Sequence, residues 1–272
     1  MTPSLYFPKP PLSNVVEFFW FAGYDDPPPH ALERILPTGT VELIINLHDD
    51  PIRLFDQPDA DLAQDFRPSC LCGPRSEFFE VDMSRPISLL GVHFKSGGAF
   101  PFFQLPASEL LNAHITLDTL WGMHAEILRE RLLAATDVKM KFHTLEQALI
   151  RQAIRPLSLH PAVDFMLQEF QRGSHKIATV TDQIGLSPQW LSRIFQEEVG
   201  LTPKLFHRVQ RFWQVLSLLD KSQEVDWATL ALDCGYFDQA HFIHDFRAFA
   251  GLSPTTYLSH RAEDFTHVEV CS

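Results

Sequence analysis

Gln189, Ser192 and Arg193 stand at the three- and four-residue spacing that puts side chains on one face of a helix. All three residue types hydrogen-bond to base edges. Arg offers two parallel donors to guanine O6 and N7, and Gln pairs in the same way with adenine. Fifty residues further on, Gln239, Ala240, Ile243 and His244 form a second such face. Lys204, Arg208 and Arg247 lie close to the two faces in sequence. A cation there meets phosphate, which sets register without reading sequence. The chemistry these residues support is noncovalent recognition of a duplex.

Each face belongs to a unit that occurs twice. The first unit reads Gly185-Leu186-Ser187-Pro188 through Phe195 and stops at Gly200-Leu201-Thr202-Pro203. The second reads Gly235-Tyr236-Phe237-Asp238 through Phe246 and stops at Gly251-Leu252-Ser253-Pro254. Gly185 and Gly235 fall where a first helix must end in a left-handed residue. Ser187 and Asp238 suit the N-caps of the second helices. Leu191, Ile194, Phe195 and Val199 make an inward stripe in one copy, and Phe242, Phe246 and Phe249 do so in the other. The two helix-turn-helix units are expected over about 177–199 and 227–249. Between them, Pro203 to Leu219 reads as one long helix, a rigid spacer of roughly 24 Å. That length suits two recognition helices entering major-groove segments about 34 Å apart, once element offsets are counted.

Asp233-Cys234-Gly235-Tyr236, Asp238-Gln239-Ala240-His241-Phe242, Phe246-Arg247, Phe249, Gly251, Ser253-Pro254 and Tyr257 closely resemble the second-motif signature of the AraC/XylS transcription regulators. The likeness covers about residues 161–261. It implies a DNA-binding domain of two helix-turn-helix units joined by a long helix, promoter DNA as partner, and contact with RNA polymerase. Arg34 to Gly39 and Gly91 to Ala99 resemble a sensory domain of one subgroup, with a small cupin-like β-barrel plus helices. The chain departs from the family at Phe237, usually small and polar, and at Ile243-His244-Asp245, often a more basic run. A second unit with His244 in place of a permanent charge is expected to bind more weakly, and more strongly on acidification.

The elements that must hold these faces divide the chain in two. Val15–Phe21, Val41–Leu47, Glu77–Val81 and Ile87–Phe94 are short, apolar and bounded by Pro and Gly breaks, as strands are. Residues 56–65 read as an acidic loop. After Gly97-Gly98 the spacing becomes helical, over Leu117–Ala135 and Leu145–Ile154, and from Pro161 to the end it stays helical. Pro156 and Pro161 mark the boundary. The expected architecture is α+β: residues 1–155 a cupin-like sensory or oligomerisation domain, residues 156–272 an all-α DNA-binding domain.

The net charge is −12, so any polyanion binding must be local rather than driven by overall charge. Cys70, Cys72, Cys234 and Cys271 form no CxxC pair and are read as reduced thiols, with Cys234 as core. His48 and His93 are isolated and no His-x-His occurs, so neither a metal nor another cofactor is expected. No nucleophile elbow, P-loop or dinucleotide fingerprint is present, and the chain is read as no enzyme. Arg34, Glu42, Arg75, His93 and Lys95 are the polar candidates for a small-molecule effector pocket in the first half. No membrane is implied, the expected compartment is the cytoplasm, and the expected state is monomer or homodimer. The alternative is an enzymatic or small-molecule-binding barrel whose helical half serves only for interaction.

Overall fold

The computed structural model describes residues 3–28, 32–56, 63–172, 185–219, 225–260 and 267–270. The strands are β1 (Ser4–Tyr6), β2 (Val16–Tyr24), β3 (Leu32–Ile35), β4 (Glu42–Asn46), β5 (Ile52–Phe55) and β6 (Gln64–Phe66), then β7 (Ser69–Cys72), β8 (Phe79–Asp82), β9 (Ile87–Phe94), β10 (His114–Ile115) and β11 (His267–Val270). They form two antiparallel sheets, ordered β1-β2-β9-β4-β7-β10 and β11-β3-β8-β5-β6. The helices of the first half are α1 (Leu117–Trp121), α2 (Met123–Ala134) and α3 (Val138–Gln152).

The period-two alternation of strands sorts the core. Leu43 and Ile45 of β4, Leu71 of β7, and Leu90 and Val92 of β9 pack against α1, α2 and α3. Their neighbours Ile44, Cys70, Cys72 and Leu89 point the other way, into a second core with Leu54, Phe66 and Phe79 of the opposite sheet. Both faces of the first sheet are therefore covered, which explains the nearly unbroken apolar run at Val41–Leu47.

The four expected strands correspond to β2, β4, β8 and β9. The others are short, and β7 carries Ser and Cys where β-branched residues were sought, so its pattern is faint. The stretch read as an acidic loop ends in β6. The helix expected over Leu117–Ala135 breaks at Gly122, which separates α1 from α2 at a φ of 55°. Asp137 starts α3 earlier than expected, accepting from the Met140 amide at 2.8 Å.

The second half contains α4 (Pro161–Gln171), α5 (Pro188–Val199), α6 (Pro203–Leu219), α7 (Trp227–Asp233), α8 (Gln239–Ala250) and α9 (Pro254–His260). The first helix of the first unit lies outside the described residues. One cluster joins Val163, Met166 and Phe170 of α4 to Leu191 and Phe195 of α5 and Phe206 of α6. Another joins Val209, Phe212, Val215 and Leu216 of α6 to Phe242, Phe246 and Phe249 of α8 and Tyr257 of α9. The long helix thus contributes to both cores, each buried aromatic adding roughly 1.5–3 kcal/mol of apolar burial. The expectation of helix from Pro161 to the end fails at β11. That strand pairs with β3, Val268 opposite Arg34, so the otherwise all-α half lends a strand to the sheet of the other half.

Candidate nucleic-acid interface

The two recognition stretches are built alike. The Ser187 hydroxyl accepts from the Trp190 amide at 3.3 Å, and Pro188 opens α5. The Asp238 carboxylate accepts from the His241 amide at 2.7 Å and opens α8. Both helices end on a left-handed glycine, Gly200 with φ 91° and Gly251 with φ 68°. The turn glycines Gly185 and Gly235 have φ 68° and 73°, a conformation that costs a side-chain-bearing residue about 1–2 kcal/mol. Capping oxygens and glycine stops fix where each helix begins and ends, and so which residues face out.

On α5, Gln189 and Arg193 are exposed and Ser192 is half-buried. Arg193 makes no ion pair among the described residues, leaving its guanidinium available. Ser192 Oγ accepts from Gln196 Nε2 at 3.1 Å, so its own proton stays free to donate. Trp190 lies edge-on to His160 with ring centroids 5.3 Å apart and belongs to the packing rather than the surface. An open cleft of about 790 Å³ separates this face of α5 from Pro106 and Ser108 of the first half.

On α8, Gln239, Ala240, His244 and Arg247 are exposed, while Ile243 is half-buried against the neighbouring core. Lys204 is exposed near the start of α6. Arg208 is placed differently. Its Nη2 lies 2.8 Å from Asp245 Oδ1 and its guanidinium sits 5.3 Å from the Phe249 ring centroid. Arg211 reaches the other oxygen of Asp245 at 3.5 Å and donates to the Gly235 carbonyl at 3.0 Å. Asp245 is buried, so these pairs bind α8 to α6 from within. Asp245, in the stretch where the family often has a more basic run, is thus turned inward and paired.

The five candidate pocket residues do not gather at one place. Arg34 donates twice to Glu80 Oε1, at 2.7 and 3.0 Å, and once to the Ala250 carbonyl at 3.0 Å. It holds the end of α8 against the first half. Arg75 pairs with Asp56 at 2.9 Å and lies over the Phe79 ring. Lys95 is exposed, 4.0 Å from Glu17. Only Glu42 and His93 meet, at 2.7 Å, with Trp20 Nε1 also donating to Glu42.

His93 shows how that pair titrates. Burial pulls its pKa down, but Glu42, and Glu17 behind it, outweigh this and raise it above the ordinary value of 6.5. A raised folded pKa contributes stability that is complete below about 6.5 and disappears as pH rises through the folded value. A plot of urea midpoint between about pH 6 and 8.5 should therefore fall more steeply for the natural chain than for His93→Gln. Parallel curves would show that the pair does not contribute.

Sequence reasoning missed the residues joining the halves. Leu36 inserts into the core of α6, α8 and α9, and Trp213 Nε1 donates to the Pro37 carbonyl at 2.8 Å. No local pattern announces such contacts, because the partners lie 176 residues apart.

Residues 180–260 match a family model described as a helix-turn-helix domain, over the duplicated unit with its shared spacer helix. This stretch is a helix-turn-helix domain. Residues 4–116 match a second model, described as a domain of unknown function (DUF6597). An uncharacterized HTH-type transcriptional regulator of Haemophilus influenzae is 33% identical over 119 residues, 42% of this chain and 39% of that protein. The arabinose operon regulatory protein of Salmonella typhimurium is 30% identical over 159 residues, 55% of this chain and 52% of its own length. The chain thus spans about half the length, or less, of the curated relatives it matches. Among solved structures, ToxT from Vibrio cholerae aligns over 89% of this chain and 98% of its own, at 11% identity and a TM-score of 0.47. A ToxT structure with unsaturated fatty acid bound aligns at 12% identity and a TM-score of 0.45. In the helix-turn-helix domain of the present chain, the matched residues include both candidate reading faces. Among the described residues no helix is long and apolar enough to cross a membrane.

Proposed function

We propose that this protein is a sequence-specific DNA-binding transcription regulator, with residues 156–272 binding the duplex and residues 1–155 controlling how its helices are presented. The observation that carries the reading is the duplicated recognition helix: two capped helices with exposed polar faces, set by one helix, α6, about 26 Å long. Gln189, Ser192 and Arg193 read bases from α5. Gln239, Ala240, Ile243 and His244 form the weaker second face, and Lys204 and Arg247 hold phosphates. Arg208 acts chiefly inside the domain, since its charge is already engaged by Asp245. RNA polymerase is the natural protein partner of a promoter-bound regulator of this type.

Control by a small molecule requires an effector that binds two states of the chain with different affinity. The contacts of Arg34 with α8 and of Trp213 with Pro37 are routes by which a change in the sheets reaches the helices. The test is selection of bound genomic fragments by the purified full chain, with and without candidate metabolites. Enrichment of one shared sequence supports the reading, and recovery of fragments at random overturns it. In the same assay Lys204→Ala should weaken all sequences alike and reduce the slope of log affinity against log salt by about one. A loss confined to one sequence would place Lys204 at a base instead.

A further inference from the structure

The inner face of the first sheet carries a row of reactive groups that DNA binding does not use. His93 pairs with Glu42 across β9 and β4, Glu42 with Cys72 across β4 and β7, and Cys72 with His114 across β7 and β10. Cys72 lies directly opposite His114 in the strand register, and His114 Nδ1 faces Asp56 Oδ1 at 3.1 Å. Arg75 Nη2 reaches the same Asp56 oxygen at 2.9 Å, and its Nη1 lies 3.3 Å from His114 Nε2. Nucleophile, base and orienting carboxylate are thus in sequence, the arrangement that activates a thiol. A second thiol stands beside the first: Cys70 Sγ is 3.8 Å from Cys72 Sγ.

The two thiols are not equivalent. The hydrogen bond shared with Cys70 lowers the pKa of Cys72, and His114 beside it lowers it further against the effect of burial. Burial raises that of Cys70. For His114, burial acts downward, but the Cys72 thiolate and Asp56 prevail and the net shift is up. These directions make Cys72 the more acidic thiol of the pair and leave Cys70 as its less acidic neighbour.

We propose that Cys72 is a modification site for a small hydroperoxide, that Cys70 resolves the product into a disulfide, and that closure shifts the segment seating the first recognition helix. In the first step the Cys72 thiolate attacks the terminal peroxide oxygen. An S–O bond forms, the O–O bond breaks, and the departing alkoxide or hydroxide takes the proton of His114. The sulfur is oxidised by two electrons and the peroxide is reduced. In the second step the Cys70 sulfur attacks the Cys72 sulfur and gives up its proton to the departing oxygen. The S–S bond forms, the S–O bond breaks, and the oxygen leaves as water with that proton. Both sulfurs are buried, which favours the smallest hydroperoxide, hydrogen peroxide, over bulkier oxidants.

The link to α5 is short. Cα atoms two apart on a strand are about 6.6 Å apart, near the upper limit a disulfide spans, so closure must pucker β7. Such a strained bond is readily reduced again, as a reversible signal requires. The next residue, Gly73, donates to the Ala113 carbonyl at 2.9 Å and lies so close to Leu110 that a Cβ there would meet its carbonyl. Pro74 then abuts Gly200, the last turn of α5, and Ala107 closes over the same glycine. Movement of β7 therefore bears directly on the end of the recognition helix.

The experiment uses the full chain carrying Cys271→Ser, which leaves Cys70, Cys72 and Cys234 as its thiols. Cys234 stays as an internal control, its pKa pushed up to about 11 by burial. After stoichiometric hydrogen peroxide, intact mass should show loss of two hydrogens, mapped to a Cys70–Cys72 link and reversed by dithiothreitol. In Cys70→Ser the reaction should stop at a sulfenic acid on Cys72, trapped by dimedone. His114→Gln should slow that trapping by about a hundredfold, the scale of a lost proton carrier. Amide exchange over 188–200 should quicken on oxidation and recover on reduction. An unreacted Cys72, a sulfinate without the link, a metal ion retained on the two thiols, or unchanged exchange in α5 after the link has formed would each overturn the proposal. None of these readouts uses DNA, so they stand apart from the test of DNA binding.

Discussion

Arg193→Ala is expected to cost about 1–3 kcal/mol of DNA affinity at one base position, a five- to 150-fold loss, and to relax the preference there. The guanidinium is exposed on α5, one helical turn from Gln189 and beside Ser192. Because it forms no ion pair among the described residues, no internal bond must break before it meets a base. The helix that carries it is held by Leu191, Ile194, Phe195 and Val199, all buried, so truncating an outward side chain leaves the fold in place. Affinity should be measured at fixed salt on the selected sequence and on each single-base variant. A uniform loss across variants would assign Arg193 to phosphate, and no loss would mean that the reading face of α5 is elsewhere. Arg208→Ala is the contrasting case, since its effect should appear in stability before it appears in base preference.

Asp245→Ala should destabilise the second helix-turn-helix unit by about 3 kcal/mol. The carboxylate side chain is 3% exposed and accepts Arg208 at 2.8 Å and Arg211 at 3.5 Å. Removing one partner of a buried pair typically costs about 3–5 kcal/mol, because the other charges remain without compensation. The lower figure applies because Arg208 keeps 30% of its side chain in solvent and can rehydrate. Trp227 stacks on Phe242 at 5.9 Å, so its fluorescence reports on this unit during urea unfolding. An earlier transition for Asp245→Ala, restored in part by Asp245→Asn, is the expected result. Coincident curves for all three proteins would show that α8 is held by its phenylalanines alone.

The recognition helices were legible in the sequence because their determinants are local. Ser187 and Asp238 as caps, Gly200 and Gly251 as stops, and stripes such as Leu191-Ile194-Phe195-Val199 act within a few turns of chain, and repetition of the unit doubled the signal. The strands at Val16–Tyr24 and Ile87–Phe94 were legible for a similar reason, their apolar content being high and their ends marked by Pro and Gly. Tertiary structure alone decided the direction of charged side chains and the joining of the halves. Whether Arg208 meets solvent or Asp245 depends on how α8 lies on α6, 37 residues away. Arg34 belongs to the end of α8 rather than to an effector pocket because the sheets carry it there. The row His93, Glu42, Cys72 and His114 exists only through strand register, where a slip of one residue would turn a side chain to the opposite face. Periodicity and caps act over a few residues and can be read from a string. Register and inter-element ion pairs arise from chain segments that meet only after folding.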